Sequence, residues 1–275
     1  MRGLQIGAFA LSVLLVVSNA SAQTVVYSNN SAPGDLFTNS NTFDAFQAVG
    51  TTGWIYANVR NNGKVGMRNN YPRSGNGSVW FEVTQGPSSP SSKADIEYYQ
   101  VDPNTGQPLP LGTLNDLVSM GYDWYRVSGS YTASNWIHPA LRVRLINPNN
   151  PTQLGYLVFE RAYNGGTVPV PTDTWVTDTV NDSTKLWGTS ALSTVYSGYS
   201  WTLADWKNAV GDWLIIGFSA GVGSGWGTFE GAVDLINWTI GGSDSSYNFE
   251  VVPEPASLLA LGVGLAGTLV RRRRN

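Results

Sequence analysis

Cysteine is absent from this 275-residue chain and histidine occurs once, at His138. The first absence excludes disulfides, thiol nucleophiles and cysteine-ligated metals together, and one imidazole leaves too few ligands for the usual zinc sites. Stability must therefore come from packing. Charge is also scarce, at 13% of residues. Amphipathic helical periodicity is nearly missing, which argues against a bundle or an α/β architecture. What is plentiful is Gly (31) and Trp (11), with abundant Ser, Thr and Asn. Aromatics in that number rule out a disordered chain and fit a turn-rich β protein.

Two segments read as addresses. At the start, Arg2 is followed by an uncharged apolar run from Ile6 to Val17 and by Ala20-Ser21-Ala22. That order fits a signal peptide cut by signal peptidase after Ala22, so residues 1–22 leave and the mature chain opens at Gln23. At the end, Pro253-Glu254-Pro255 precedes the 15-residue apolar run Ala256–Val270 and then Arg271-Arg272-Arg273-Arg274. As a helix that run covers roughly 22 Å, short of the roughly 30 Å hydrocarbon core. It can enter the inner membrane but is a poor permanent anchor. The arginines hold the cytoplasmic side, which places the bulk of the chain outside.

Pro253-Glu254-Pro255, the short apolar helix and the terminal Arg cluster together resemble the PEP-CTERM sorting signal of Gram-negative bacteria. The resemblance implies export, transient retention by the tail, and cutting near Pro253-Glu254-Pro255 by exosortase, a membrane cysteine protease. It also implies an association with exopolysaccharide and biofilm at the cell surface. An ordinary tail anchor, with no cut, is the alternative. Arg2 and Arg271–Arg274 are five of the 16 basic residues and Glu254 one of the 19 acidic ones, which leaves residues 23–252 with 11 basic and 18 acidic residues and a charge near −7. A nucleic-acid partner is not expected of so acidic a domain.

Between the signals, residues 23–242 read as one all-β domain, a jelly-roll-like antiparallel β-sandwich. In Leu141-Arg142-Val143-Arg144-Leu145 the aliphatics face one way and the arginines the other, and Val79, Phe81 and Val83 alternate in the same manner. Trp54–Val59, Ala94–Val101, Tyr122–Ser128, Gln153–Arg161, Thr174–Val180, Trp213–Ser219 and Ala232–Ile240 add further strands. One helix is expected at Leu203–Ala209, opened by Thr202 with Asp205 and ended by Gly211. Residues 243–252 are polar at the start and read as a flexible stalk ahead of the sorting signal at 253–275. Tyr122-Asp123-Trp124-Tyr125-Arg126 and Val233-Asp234-Leu235-Ile236-Asn237-Trp238 resemble segments of PEP-CTERM ectodomains with a jelly-roll layout.

No catalytic residue is expected. His138, in Trp136-Ile137-His138-Pro139-Ala140, reads as the start of a strand with nothing marking a nucleophile elbow. No cofactor is expected either, apart from structural calcium, for which Asp234, Asp178 and Asp182 are the candidates, since calcium needs only oxygen ligands. Eleven Trp exceed what a core of this size needs, and Trp54, Trp136, Trp201 and Trp226 near strand ends or loops are the candidate contacts for a polysaccharide. The alternative is a glycan-active enzyme built on two carboxylates. Glu82 and Glu97 lie on expected strands, and Asp95 and Glu97 share one strand face about 7 Å apart.

Overall fold

The computed structural model describes residues 23–84, 92–132, 134–165 and 169–253. The signal segment at 1–22 and Glu254–Asn275, with Arg271–Arg274, lie outside the described residues. Among the described residues no helix is long and apolar enough to cross a membrane.

Alternating apolar and polar residues, broken by Gly, Asn and Pro, produce strands rather than helices. In chain order these are β1 (Thr24–Ser31), β2 (Phe37–Asn39), β3 (Ala45–Ala48), β4 (Trp54–Arg60), β5 (Gly63–Arg68), β6 (Ser78–Val83), β7 (Lys93–Tyr98), β8 (Gly112–Thr113) and β9 (Leu117–Arg126). They continue as β10 (Tyr131–Thr132), β11 (Ala140–Asn147), β12 (Asn150–Phe159), β13 (Trp175–Val180), β14 (Trp187–Gly188), β15 (Leu214–Gly223), β16 (Gly227–Ile240) and β17 (Ser243–Val252). One sheet runs β1-β17-β16-β6-β5-β2, with β9, β13 and β10 attached; the other runs β14-β12-β11-β15-β7-β4-β3, with β8 attached. The two sheets form a jelly-roll-like sandwich. Pairing is antiparallel except between β1 and β17.

Every expected strand forms, shifted by a few residues at its ends. The inward rows make one core, in which Trp54 meets Phe249 edge-on at 4.9 Å and Phe218 stacks on Trp238 at 4.1 Å. Six of the eleven Trp (54, 80, 124, 206, 213 and 238) are buried. The core therefore absorbs more tryptophan than the composition suggested, and Trp54, at 1% exposure, offers no surface to a ligand.

Ser243–Val252 is a strand, not a stalk. Its serine-rich opening hides a period-2 pattern in which Tyr247, Phe249 and Val251 turn inward while Asn248 and Glu250 turn out. β17 lies between β1 and β16, with Thr24 opposite Tyr247 on one side and Ile236 opposite Tyr247 on the other. At Leu235, whose φ is 51°, β16 bulges and its partner changes from β6 to β17.

Two short helices, Ala162–Gly165 (α1) and Ala191–Val195 (α2), accompany the expected one, α3 (Leu203–Val210). In α3 the Thr202 hydroxyl accepts from the Asp205 N–H at 3.2 Å and the Asp205 carboxylate accepts from the Thr202 N–H at 2.8 Å. Leu203, Trp206 and Val210 are buried on one face. Thr202→Ala should lower stability by about 1 kcal/mol, read by urea melts; an unchanged midpoint would mean that Trp206 packing alone holds the helix.

Candidate functional site

The inward row of β7, Ala94, Ile96 and Tyr98, forces Lys93, Asp95 and Glu97 onto the outer face of the eight-stranded sheet. The same alternation puts Arg142 and Arg144 of β11, Tyr156 of β12 with Glu160 just after it, and Ser219 and Gly221 of β15 on that face. Register aligns Arg142 with Ser219 and Ser219 with Glu97 in one row, and Gly221 with Asp95 in the next. A Cβ on Gly221 would sit 2.0 Å from Asp95 Oδ1, so only glycine lets the carboxylate lie across β15.

Outward does not mean solvated here. Asp95 is fully buried and bound by Arg142 Nη1 at 2.9 Å, Lys93 Nζ at 2.8 Å and Asn58 Nδ2 at 2.9 Å. Burial pushes its carboxyl up, but Arg142 and Lys93 hold it below the ordinary aspartate value. Glu97, 1% exposed, accepts from Asn58 Nδ2 at 2.8 Å, from the Tyr156 hydroxyl at 3.0 Å and from the Tyr99 hydroxyl. Burial and then the Asp95 charge raise it. Arg144 donates to the Tyr99 hydroxyl and lies over the Tyr99 and Tyr156 rings at 5.1 and 5.4 Å.

Above this network is a groove of about 380 Å³ whose lining includes Asp95, Arg142, Tyr156, Glu160, Trp187 and Trp226, with hydroxyls from Thr189, Ser190 and Ser224. Tyr156, Glu160, Trp187 and Trp226 are all partly exposed. Burial raises the Glu160 carboxyl, opposed by Arg142 and by the Trp187 indole. Aromatic faces and fixed polar groups thus share one concave surface, an arrangement suited to a ligand with both C–H faces and hydroxyls. A hollow of about 400 Å³ lies beside Trp136, Arg161 and Asp178, and another of about 710 Å³ beside Tyr98, Tyr99 and Leu109. The groove differs in carrying two Trp and a Tyr together with a charged floor.

Of the tryptophans singled out in the sequence, Trp226 lines the groove, and Trp136 faces it across a small void bounded by Glu160 and His138. Trp201 instead stacks on Tyr196 at 4.3 Å and against Trp206 at 5.0 Å, at the helical end of the sandwich. Trp187, Tyr156, Glu160 and Arg142 escaped the sequence reading. Tyr156 and Glu160 could have been found from the Leu157/Phe159 alternation; Trp187, in a two-residue strand, carried no signal.

Glu82 is on the opposite sheet, paired with Lys64 at 2.6 Å, so it does not meet Glu97. His138 is buried, accepts the Arg161 N–H at 3.0 Å and meets the Tyr122 hydroxyl. Burial lowers it to about 3, so it stays neutral. The three aspartates considered for calcium are dispersed. Asp178 takes the Trp124 indole N–H at 2.7 Å and pairs with Arg161, Asp182 pairs with Lys207 at 2.5 Å, and Asp234 takes the Leu235 and Phe249 N–H groups at 2.7 and 3.0 Å. Among the described residues no group of three or more His, Cys, Asp or Glu is placed to hold a metal ion.

Fold and groove define a β-sandwich protein with an aromatic-lined outer face. Residues 251–274 match the family model of the PEP-CTERM protein-sorting motif, so the chain carries that motif, which implies export, membrane-anchored sorting and processing by exosortase. No curated relative matches the chain. Among solved structures it is similar to a family 11 carbohydrate-binding module from Clostridium thermocellum, in complex with a beta-1,3-1,4-mixed-linked tetrasaccharide, at 11% identity and TM-score 0.41, covering 71% of this chain and 95% of that one. An ENZbleach xylanase mutant aligns at 11% identity and TM-score 0.40 over 80% and 98%, and the cellulose-specific module CBM28 at 12% and 0.30 over 79% and 99%.

Asp234 supplies a measurable pH dependence. Burial, with smaller contributions from Glu250 and Asp123, pushes its carboxyl up to about 7 against the pull of the two N–H groups. The folded chain therefore keeps a proton that the unfolded chain releases near pH 4. Stability from this group is greatest below about pH 4, falls between about 4 and 7, and is level above, by an amount on the order of 4 kcal/mol. Asp234→Asn keeps the acceptor without the charge and should flatten that slope in urea melts from about pH 4 to 8; parallel profiles for both proteins would exclude Asp234 as its source.

Proposed function

We propose that this protein is an exported, cell-surface polysaccharide-binding protein of the exopolysaccharide or biofilm matrix, delivered by signal peptidase and exosortase, and that it holds glycan in the groove over Asp95 and Arg142. The carrying observation is the meeting of Trp187, Trp226 and Tyr156 with Glu160 and Arg142 on one concave surface. Sugar rings present C–H faces to aromatic rings and hydroxyls to charged acceptors and donors, and a site whose polar groups are already fixed loses little entropy on binding.

Burial favours binding over hydrolysis. A glycosidase needs two carboxyls that reach the scissile bond, whereas Asp95 and Glu97 are sealed, each with three partners. One feature supports the enzymatic alternative: Glu160, raised by burial, is partly exposed in the groove.

Affinity electrophoresis against a panel of bacterial exopolysaccharides, with reducing-sugar release measured on the same samples, separates the two. Trp226→Ala and Trp187→Ala should each weaken retention about tenfold, or about 1.4 kcal/mol, without sugar release by any variant. Retention unchanged in both would remove the groove from the function, and release abolished by Glu160→Gln would make the protein an enzyme.

A further inference from the structure

The sorting motif and the sandwich overlap. The match to the motif opens at residue 251, yet Val251 and Val252 are the last residues of β17. Everything up to Val252 is held. On one edge β17 pairs with β1 as far as Val252 opposite Ser31. On the other, beyond the last rung with β16, single side chains replace the missing ladder. Asp234 Oδ1 takes the Phe249 N–H at 3.0 Å, and Asn76 both accepts from the Val251 N–H at 3.0 Å and donates to the Val251 carbonyl at 3.1 Å. Glu250 accepts the Asn76 N–H at 2.5 Å, and on the β1 edge the Val252 N–H donates to Ser28 Oγ at 3.0 Å. Phe249 and Val251 are 0% and 1% exposed, whereas Pro253 is exposed.

A protease binds its substrate as an extended chain, with backbone groups free to pair in its cleft. Glu250–Val252 have no such freedom unless β17 is pulled from the sheet. We propose that the sandwich itself sets the amino-terminal limit of sorting cleavage: the enzyme grips the chain from Pro253 onward, the cut falls on the carboxyl side of Val252, and the mature protein keeps all of β17. In the cut the scissile C–N bond breaks, the nitrogen leaves with a proton on the released tail, and the carbonyl takes the hydroxyl of water. A cut ahead of Val251 would instead remove that buried side chain and break the bonds that Asn76 and Ser28 make to Val251 and Val252. The proposal rests on the reading that exosortase processes this motif.

The test is an intact mass with carboxyl-terminal peptide sequencing of native protein from the cell surface, paired with exported chains that stop after Val252 or after Asn248. The native chain should end at Val252 or beyond. The chain stopping at Val252 should melt with the native product, and the one stopping at Asn248 should melt roughly 10 °C lower or fail to accumulate. A native terminus at Val251 or earlier leaves processing standing and overturns the limit, as do equal melting temperatures for the two truncations. A native mass that retains Asn275 overturns the processing reading, and the proposal with it.

Discussion

The placement of β17 between β1 and β16 is the constraint on which the rest of the sandwich depends. A chain without cysteine has no covalent means of fastening its ends, so backbone pairing must do it. Thr24 is joined to Tyr247 and Ser31 to Val252, contacts across almost the whole domain. Such contacts close the longest loop of the domain, and the entropic cost of closure rises with loop length. β16 accepts two different neighbours along one edge, β6 and then β17, and its bulge at Leu235 marks the exchange. The Asp234 carboxylate fills that fork by standing in for a backbone carbonyl opposite Phe249, which is why it is buried despite the cost to its charge.

The same economy shapes the groove. A charged floor beneath an aromatic-lined surface is stable only if each charge is compensated before any ligand arrives, and Asp95 meets that condition with two cations and an amide. Removing either cation would weaken that compensation for a buried charge, so Lys93, Asn58, Arg142 and Gly221 act together. The Arg144 guanidinium between the Tyr99 and Tyr156 rings extends that unit sideways and fixes the Tyr156 ring at the groove wall. Rigidity at the site is therefore a by-product of burying ions.

Periodicity was the legible part of the fold. Leu141, Val143 and Leu145 point into the core as their spacing demands, and the Thr202–Asp205 cap is formed by the atoms that the sequence suggested. Period-2 patterning cannot say what covers an outward row. Arg142 reads as a solvent-facing residue and is 9% exposed, because β7 and β15 bring Asp95 and Ser219 to it from distant sequence. Residues 243–252 failed as a stalk for a related reason: Ser and Asn suit a strand whose outer side is closed by Asn76 and Asp234, neither of them near in sequence. Of the four tryptophans singled out, only Trp226 and Trp136 border the groove region, since ring position depends on tertiary packing. The sorting motif, by contrast, was fully legible, because its order of motif, apolar run and arginines is read along the chain and needs no fold.

The groove and the carboxyl end of β17 lie on different sheets. The groove belongs to the outer face of the sheet built on β7, β11, β12 and β15, whereas β17 and Pro253 belong to the other. A tether leaving from Pro253 thus leaves from the layer that does not bear Trp187 and Trp226. Between the layers is an aromatic core, in which Trp54 touches both Tyr98 of β7 and Phe249 of β17. Close-packed cores of this kind resist small displacements. The groove proposed for glycan and the exit of the chain at Pro253 therefore stand on opposite sides of that core.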